Sequence, residues 1–411
     1  MSNITKRKNK DGSLSFYIRA ADGYGSDGRQ RKRNMKWTAP AGMSEKAAAK
    51  EAQRQAVRFE DAVKAGMSTV GGNIRFEEFA KRFIEDHAKQ QLKIKTTSEY
   101  EKRLVIINKT IGHIKLKDLR AGHLTSFYSS LQAPNANCKT GGKLSPQTIM
   151  ACHRVVSTVL TKAVKWGYIP FNPATNAELP RQDNKEASFL DEADARRLLE
   201  LLHGEPIKWR AMVTFDLLSG LRRGELLGLR WQDVDFAAET ITIVQASQYV
   251  KGYGVFVTTP KNVTSRRPLK LSRSAFLILR EYQVWQDEQR ELCGSYWKDT
   301  DGRIFTTDDG APIHPDSITK WFREFVKRVN LPSVSVHSLR HTYASLMIAD
   351  GTPLVVVSKR LGHSQVSTTA DIYAHVIQSA DEKAAQITER FADVIAAPPP
   401  VGEKTHLRRV K

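Results

Sequence analysis

Cysteine is scarce in this chain. The 411 residues hold three, Cys138, Cys152 and Cys293, far apart and in no ligand pair. That pattern excludes a disulfide framework and a zinc ribbon, and it fits a reducing cytosol. No apolar run approaches the length that spans a bilayer. The first ten residues are basic and polar with no apolar stretch behind them, so no secretory signal is expected. Long low-complexity tracts and internal repeats are missing too, and a hydrophobic content of 40% describes a globular chain.

Acidic residues are also in short supply, 44 against 64 Lys and Arg, for a net charge of +20. The excess is unevenly spread. Residues 1–70 carry 15 basic and 7 acidic side chains, residues 71–184 carry 18 and 9, and the remainder carries 31 and 28. Thus +17 of the +20 lies in the first 184 residues. Lys and Arg that neutralise phosphates release counterions, so a polyanion such as DNA is the natural partner. Charge alone leaves a merely soluble basic surface equally open. An anionic membrane fits less well, because no lipid-facing apolar stripe accompanies the charge.

Three segments are expected, at 1–70, 74–180 and 187–397, with a loose basic tail at 398–411. In the first, Leu14–Arg19 and Arg29–Trp37 read as strands separated by Gly-rich turns, and Ser44 caps a helix that runs to about Ala65. Its hairpins carry Arg29, Arg31, Lys32, Arg33 and Lys36, which suit either a DNA groove or a solvated face. The second segment reads as a helical bundle. Phe76, Phe79 and Phe83 recur on one face, and Ser145-Pro146 starts a helix that buries Val155, Val156, Val159, Leu160 and Val164. The third mixes helices with strands at Thr240–Val250, Val255–Thr259 and Arg266–Leu271. The fold class expected is multidomain and mainly α: a small N-terminal sheet plus helix, a helical bundle, and a mostly helical α/β domain.

Joining DNA strands without a cofactor demands a nucleophile that stores the phosphodiester energy in a covalent link. It also demands Arg and His donors for the charge that develops on phosphate oxygens, and an acid for the leaving oxygen. The third segment offers such a set. Arg222 lies in the Gly-flanked Ser219-Gly-Leu-Arg-Arg-Gly-Glu225, and His337 and Arg340 share a helix face in His-Ser-Leu-Arg-His341. His363 follows in Leu-Gly-His-Ser, and Tyr373 comes ten residues later. Each piece alone is ordinary. The His337/His341 spacing hints at a metal, yet no His-Glu-x-x-His and no carboxylate partner accompany it. A single Tyr is usually a packed aromatic.

Taken together and in this order, these motifs resemble the tyrosine recombinase, or phage integrase, family over about residues 189–395. The layout is similar to the longer integrases of temperate phages and conjugative transposons. The resemblance implies that Arg222 and Arg340 clamp the scissile phosphate, that His337 donates or handles a proton, and that His363 contacts a nonbridging oxygen. It makes Glu225 a structural support, Tyr373 the nucleophile, and Lys261 the acid for the 5′-oxygen, with Lys251 and Lys270 as alternatives. It further implies arm-site and core-site DNA as partners, a homotetramer on DNA and a C-terminal helix, near 380–397, exchanged between neighbours. Excisionase and a DNA-bending protein are also implied partners. No metal, ATP or other cofactor and no membrane are expected, and the bacterial cytoplasm is the expected location. A type IB topoisomerase and an inactive DNA-binding regulator are the rival readings.

Overall fold

A computed structural model of the chain describes residues 3–9, 13–24, 30–40, 42–64, 73–137, 140–181, 188–259, 266–298 and 301–373. The chain divides into two compact units, Met1–Asn184 and Lys185–Lys411.

The first unit opens with an antiparallel sheet, β1 (Asn3–Lys8), β2 (Leu14–Tyr24) and β3 (Gln30–Thr38), in that spatial order. Alternation decides its faces. Phe16, Ile18 and Ala20 point inward and meet Ala48, Ala52, Ala56 and Phe59 of α1 (Glu45–Lys64). The Ser44 hydroxyl accepts the Ala47 N–H at 3.4 Å and starts that helix. Strand β1 was not legible, because Asn3–Lys8 is a polar, basic run; register makes it a strand, with Lys6 opposite Phe16.

The helical part of this unit comprises α2 (Phe76–Phe83), a π-helical segment Ile84–Ala88, α3 (Lys89–Gln91), α4 (Ile94–Ile111), α5 (Ala121–Ser130) and α6 (Pro146–Lys165). Phe76, Phe79 and Phe83 are buried as their spacing predicts, against Leu104, Ile107, Phe127 and the Val155–Leu160 face of α6. Ser145 caps α6 by accepting the Thr148 N–H, with Pro146 in the first turn.

The second unit builds α7 (Glu192–Leu202), α8 (Ile207–Ser219) and the short α9 (Arg223–Leu226) before its strands. These are β4 (Val234–Asp235), β5 (Thr240–Ile243), β6 (Ala246–Val250), β7 (Gly254–Thr258) and β8 (Arg267–Lys270). The helices α10 (Arg273–Cys293), α11 (Pro315–Arg328), α12 (Val336–Ala349) and α13 (Leu354–Leu361) follow, then a helical segment at 366–373. Buried Met212, Phe215, Leu279, Tyr282, Phe322 and Phe325 centre the core on α8.

The continuous strand expected over Thr240–Val250 is in fact two. Strand β5 joins β4 and β8, whereas β6 pairs only with β7. The chain breaks register where it crosses the turn after α9: Gln245 Nε2 donates to the Gly228 carbonyl at 2.9 Å. A Cβ on Gly228 would lie 3.0 Å from the Ser247 nitrogen and 3.1 Å from the Gln245 carbonyl oxygen, so a larger residue would push this crossing apart.

Candidate active site

Helix ends build the site. Helix α8 stops at Gly220, which holds a left-handed φ of 62°, and Arg222 then serves as N-cap of α9. Helix α13 likewise ends in a left-handed Gly362, whose N–H reaches the Lys359 carbonyl while the His363 N–H reaches Ser358. This is the Schellman arrangement, and it leaves the final carbonyls of α13 facing outward at the negative end of the helix dipole.

Three consecutive carbonyls of that turn accept from three different arginines. Arg267 Nε donates to the Arg360 oxygen at 2.6 Å, Arg340 Nη2 to Leu361 at 2.5 Å, and Arg222 Nη2 to Gly362 at 3.1 Å. The other η-nitrogen of Arg340 donates to the Gly220 carbonyl at 2.8 Å, so the ends of α8 and α13 hold one guanidinium between them. Arg340 is 2% exposed and Arg222 is half-buried. Burial, then the neighbouring Arg222, act against the charge of Arg340, and Glu225 partly restores it. A guanidinium stays protonated through such a shift.

Glu225 lies beneath the cluster. Its carboxylate accepts from Arg222 Nη1 at 2.8 Å, from the Arg222 N–H at 3.1 Å and from Arg267 Nη2 at 3.1 Å. Burial works to raise its pKa, but the charges of Arg267 and Arg222 outweigh that and hold the carboxyl below its usual range. Arg267, which no motif flagged, therefore completes a buried Arg–Glu–Arg bridge. Gly362 is glycine for the same reason: a Cβ there would sit 2.6 Å from Arg267 Nη1. Asp216, also missed, is wholly buried on α8, and neither carboxylate oxygen has a hydrogen-bond partner. Burial drives its pKa well up, with Arg340 pulling the other way.

The histidines stand around this cradle. His363 is fixed through Nδ1 to the Thr369 hydroxyl at 2.8 Å, on the segment that carries Tyr373. Burial and the charges of Arg340 and Arg222 push its pKa down to about 4. His337 keeps ring surface in solvent, yet the surrounding protein mass and then Arg340 and Arg222 hold its pKa below the usual value. Tyr373 is 1% exposed, packed among Ala344, Ile348, Val357 and Leu361. Burial raises its phenol to about 12, with Arg340 pulling the other way. His341, one residue past Arg340, meets the Tyr373 hydroxyl through Nδ1 at 2.9 Å.

The sequence candidates Arg222, Glu225, His337, Arg340, His363 and Tyr373 thus share one unit, tied through the α8 and α13 ends. Lys261 and the segment at 380–397 lie outside the described residues. In the N-terminal sheet, Arg29 and the Arg31 side chain lie outside them as well. Lys32 and Lys36 project from the open face with Tyr17 and Arg19 opposite or adjacent, Lys36 lying over the Tyr17 ring at 5.7 Å. Arg33 departs from the grouping expected of it. It pairs with the inward Ala20, and strand alternation therefore turns it to the α1 side. Among the described residues no group of three or more His, Cys, Asp or Glu is spaced to hold a metal ion. No described helix is long and apolar enough to cross a membrane.

Residues 188–379 match the phage integrase family, and residues 75–179 match the phage integrase SAM-like domain. A tyrosine recombinase XerC-like protein of Caldanaerobacter subterraneus subsp. tengcongensis is 28% identical over 347 residues, covering 80% of this chain and 86% of the relative. The ICEBs1 integrase of Bacillus subtilis is 26% identical, over 72% and 78%. Among solved structures, the Tn1549 transposon integrase in complex with transposon right end DNA superposes with a TM-score of 0.64 at 19% identity. That match covers 78% of this chain and 100% of the other. A lambda integrase dimer bound to a core site gives 0.53 at 13% identity, over 89% and 93%. Fold and matches together define an enzyme that cleaves and rejoins DNA strands. The chain belongs to the tyrosine recombinase, or phage integrase, family and acts in site-specific recombination.

Proposed function

We propose that this recombinase integrates, and excises, a mobile element through a 3′-phosphotyrosyl link formed by Tyr373. The observation that carries the reading is the shared turn at 360–362, which aims Arg222 and Arg340 and leads within eleven residues to Tyr373. Fixed guanidiniums suit the nonbridging oxygens of a phosphate in its pentacoordinate state, because they need no reorganisation when charge develops. His363 and His337 add neutral donors at the rim. Glu225 and Arg267 support the first arginine rather than touch DNA. Lys261 is our candidate for protonating the leaving 5′-oxygen. A second duplex's 5′-hydroxyl then attacks the link, two rounds of exchange passing through a four-way junction within a tetramer.

The basic first unit supplies the grip. We assign residues 74–180 to the core site, 1–70 to accessory arm sites, with Lys32 and Lys36 as contacts, and 187–397 to the chemistry. The related lambda integrase occurs as a tetramer bound to a Holliday junction, which supports the assembly. Work on chromosomal DNA fits the bacterial cytoplasm. The test is covalent capture in EDTA on nicked duplexes spanning the junctions that flank the gene. Wild type is expected to form a protein–DNA adduct and Tyr373→Phe none. An adduct with Tyr373→Phe gives the nucleophile to another residue. Relaxation of a plasmid lacking those junctions turns the reading toward a topoisomerase.

A further inference from the structure

The Tyr373 hydroxyl carries a proton that must leave as its oxygen attacks, and its hydrogen-bond partner is His341 rather than His337. That hydroxyl is buried, and a buried O–H needs an acceptor. Among the described residues the partner is His341 Nδ1, at 2.9 Å with the two ring centroids 5.7 Å apart. Since the phenol must donate, Nδ1 carries the lone pair and the imidazole is the tautomer protonated at Nε2. His341 itself sits half-buried on α12 between two site residues, with the His337 ring packed edge-on at 4.9 Å.

We propose that His341 is a catalytic residue of this enzyme, the base that takes the phenolic proton as Tyr373 Oη attacks the DNA phosphorus. The inference rests on Tyr373 being the nucleophile. As the Oη–P bond forms, the O–H electron pair becomes the nucleophile's, the proton passes to Nδ1, and the P–O5′ bond breaks with its pair leaving on the 5′-oxygen. In the reverse sense an incoming 5′-hydroxyl gives its proton to the group that had protonated the 5′-oxygen, for which Lys261 is the candidate, forms the P–O5′ bond and displaces the phenolate, which recovers its proton from His341. No oxidant, reductant or metal enters.

In the free site the transfer is uphill, a phenol near 12 facing an imidazole near 4, although the acceptor itself stays unprotonated. Burial, then His337 and Arg340, hold the free imidazole at about 4, so its lone pair is available at neutral pH. The groups facing it are His337 and Arg340 on its own helix, His363 beyond α13 and Tyr373 on the last segment. A phosphate drawn onto Arg340 offsets the share of the depression that Arg340 causes, while burial, the larger cause, remains. The basicity of His341 therefore rises when the substrate arrives, the condition under which a base is useful.

The test separates attack from departure. Junction duplexes that wild type cleaves are made with sulfur in place of the scissile 5′-oxygen, so the leaving group needs no acid and adduct formation reports attack alone. His341→Asn keeps an acceptor near Nδ1 but cannot hold a proton, which guards against simple misfolding; its Tm should stay near that of wild type. We expect both His341→Asn and His341→Ala to form adduct roughly 10²- to 10³-fold more slowly at pH 7.5. Replacing Tyr373 by difluorotyrosine, a more acidic phenol, should restore most of the rate in the variants while changing wild type little, as should raising the pH. Near-wild-type rates in His341→Asn overturn the proposal. So does a slow variant that neither the acidic phenol nor high pH rescues, since that is a packing defect. An adduct formed by Tyr373→Phe instead sinks the nucleophile assignment on which the inference rests.

Discussion

Glu225 is 5% exposed at its side chain and carries the counter-charge of two guanidiniums, Arg222 and Arg267, of which Arg267 is itself 7% exposed. Removing one partner of a buried ion network strands the others in low dielectric. Glu225→Gln should therefore cost about 3–5 kcal/mol of stability, read as a lower urea midpoint, and should lower adduct formation further by loosening Arg222. Retention of the wild-type midpoint would mean that the bridge is not coupled to folding. At this scale the sequence was legible wherever residues sit in a spaced motif, as with Arg222, His337, Arg340, His363 and Tyr373. It was silent on Arg267 and Asp216. Arg267 acts through contacts 42 and 93 positions away, to Glu225 and Arg360, and nothing local distinguishes it from Arg266 beside it. Tyr373 is a packed core aromatic whose hydroxyl alone is engaged by a polar group.

The elements that matter are short turns closing helices. Gly220 needs its left-handed backbone, and a Cβ there would fall 2.3 Å from the Tyr343 ring. Gly220→Ala should lose about 1 kcal/mol from backbone strain and a further 1–3 kcal/mol from overpacking, and displace the carbonyl that holds Arg340. Gly252, with φ of 90° and open space around it, is the control: Gly252→Ala pays the backbone term alone and should keep its cleavage rate. Equal loss in the two variants, by urea titration and adduct yield, would remove the packing argument. Helix starts and aromatic faces were readable because cap residues and 3.6-residue spacing are local facts. The split of Thr240–Val250 was not, because β-rich residues run through it and the break answers to Gly228, a residue of another element. The π-helical segment Ile84–Ala88 had no sequence signal at all.

For the molecule as a whole, charge and protonation give separate handles. Binding to a random duplex should fall steeply between 50 and 200 mM salt, by about 10³-fold or more if six or more phosphates are neutralised. Lys32→Ala and Lys36→Ala should each reduce the log–log slope by about one if the open sheet face meets phosphates. An unchanged slope removes that face from the interface. Acid acts on the second unit. His341 and His363 are held near 4 against an ordinary 6.5, so they favour the fold fully above pH 6.5, and that stability is lost as pH falls toward 4. Glu225 adds a loss below its usual 4.5, whereas Asp216, whose pKa burial raises, acts in the opposite sense. Urea midpoints at pH 7.5, 6 and 5 should therefore decline, and the decline should be shallower in His363→Gln. A flat profile between 6.5 and 5 would contradict the sign.

Three arginines drawn from α12, β8 and the turn before α9 all rest on the carbonyls of Arg360, Leu361 and Gly362. Such a shared seat has an arithmetic consequence. A change that displaces that single turn is expected to unseat all three guanidiniums together.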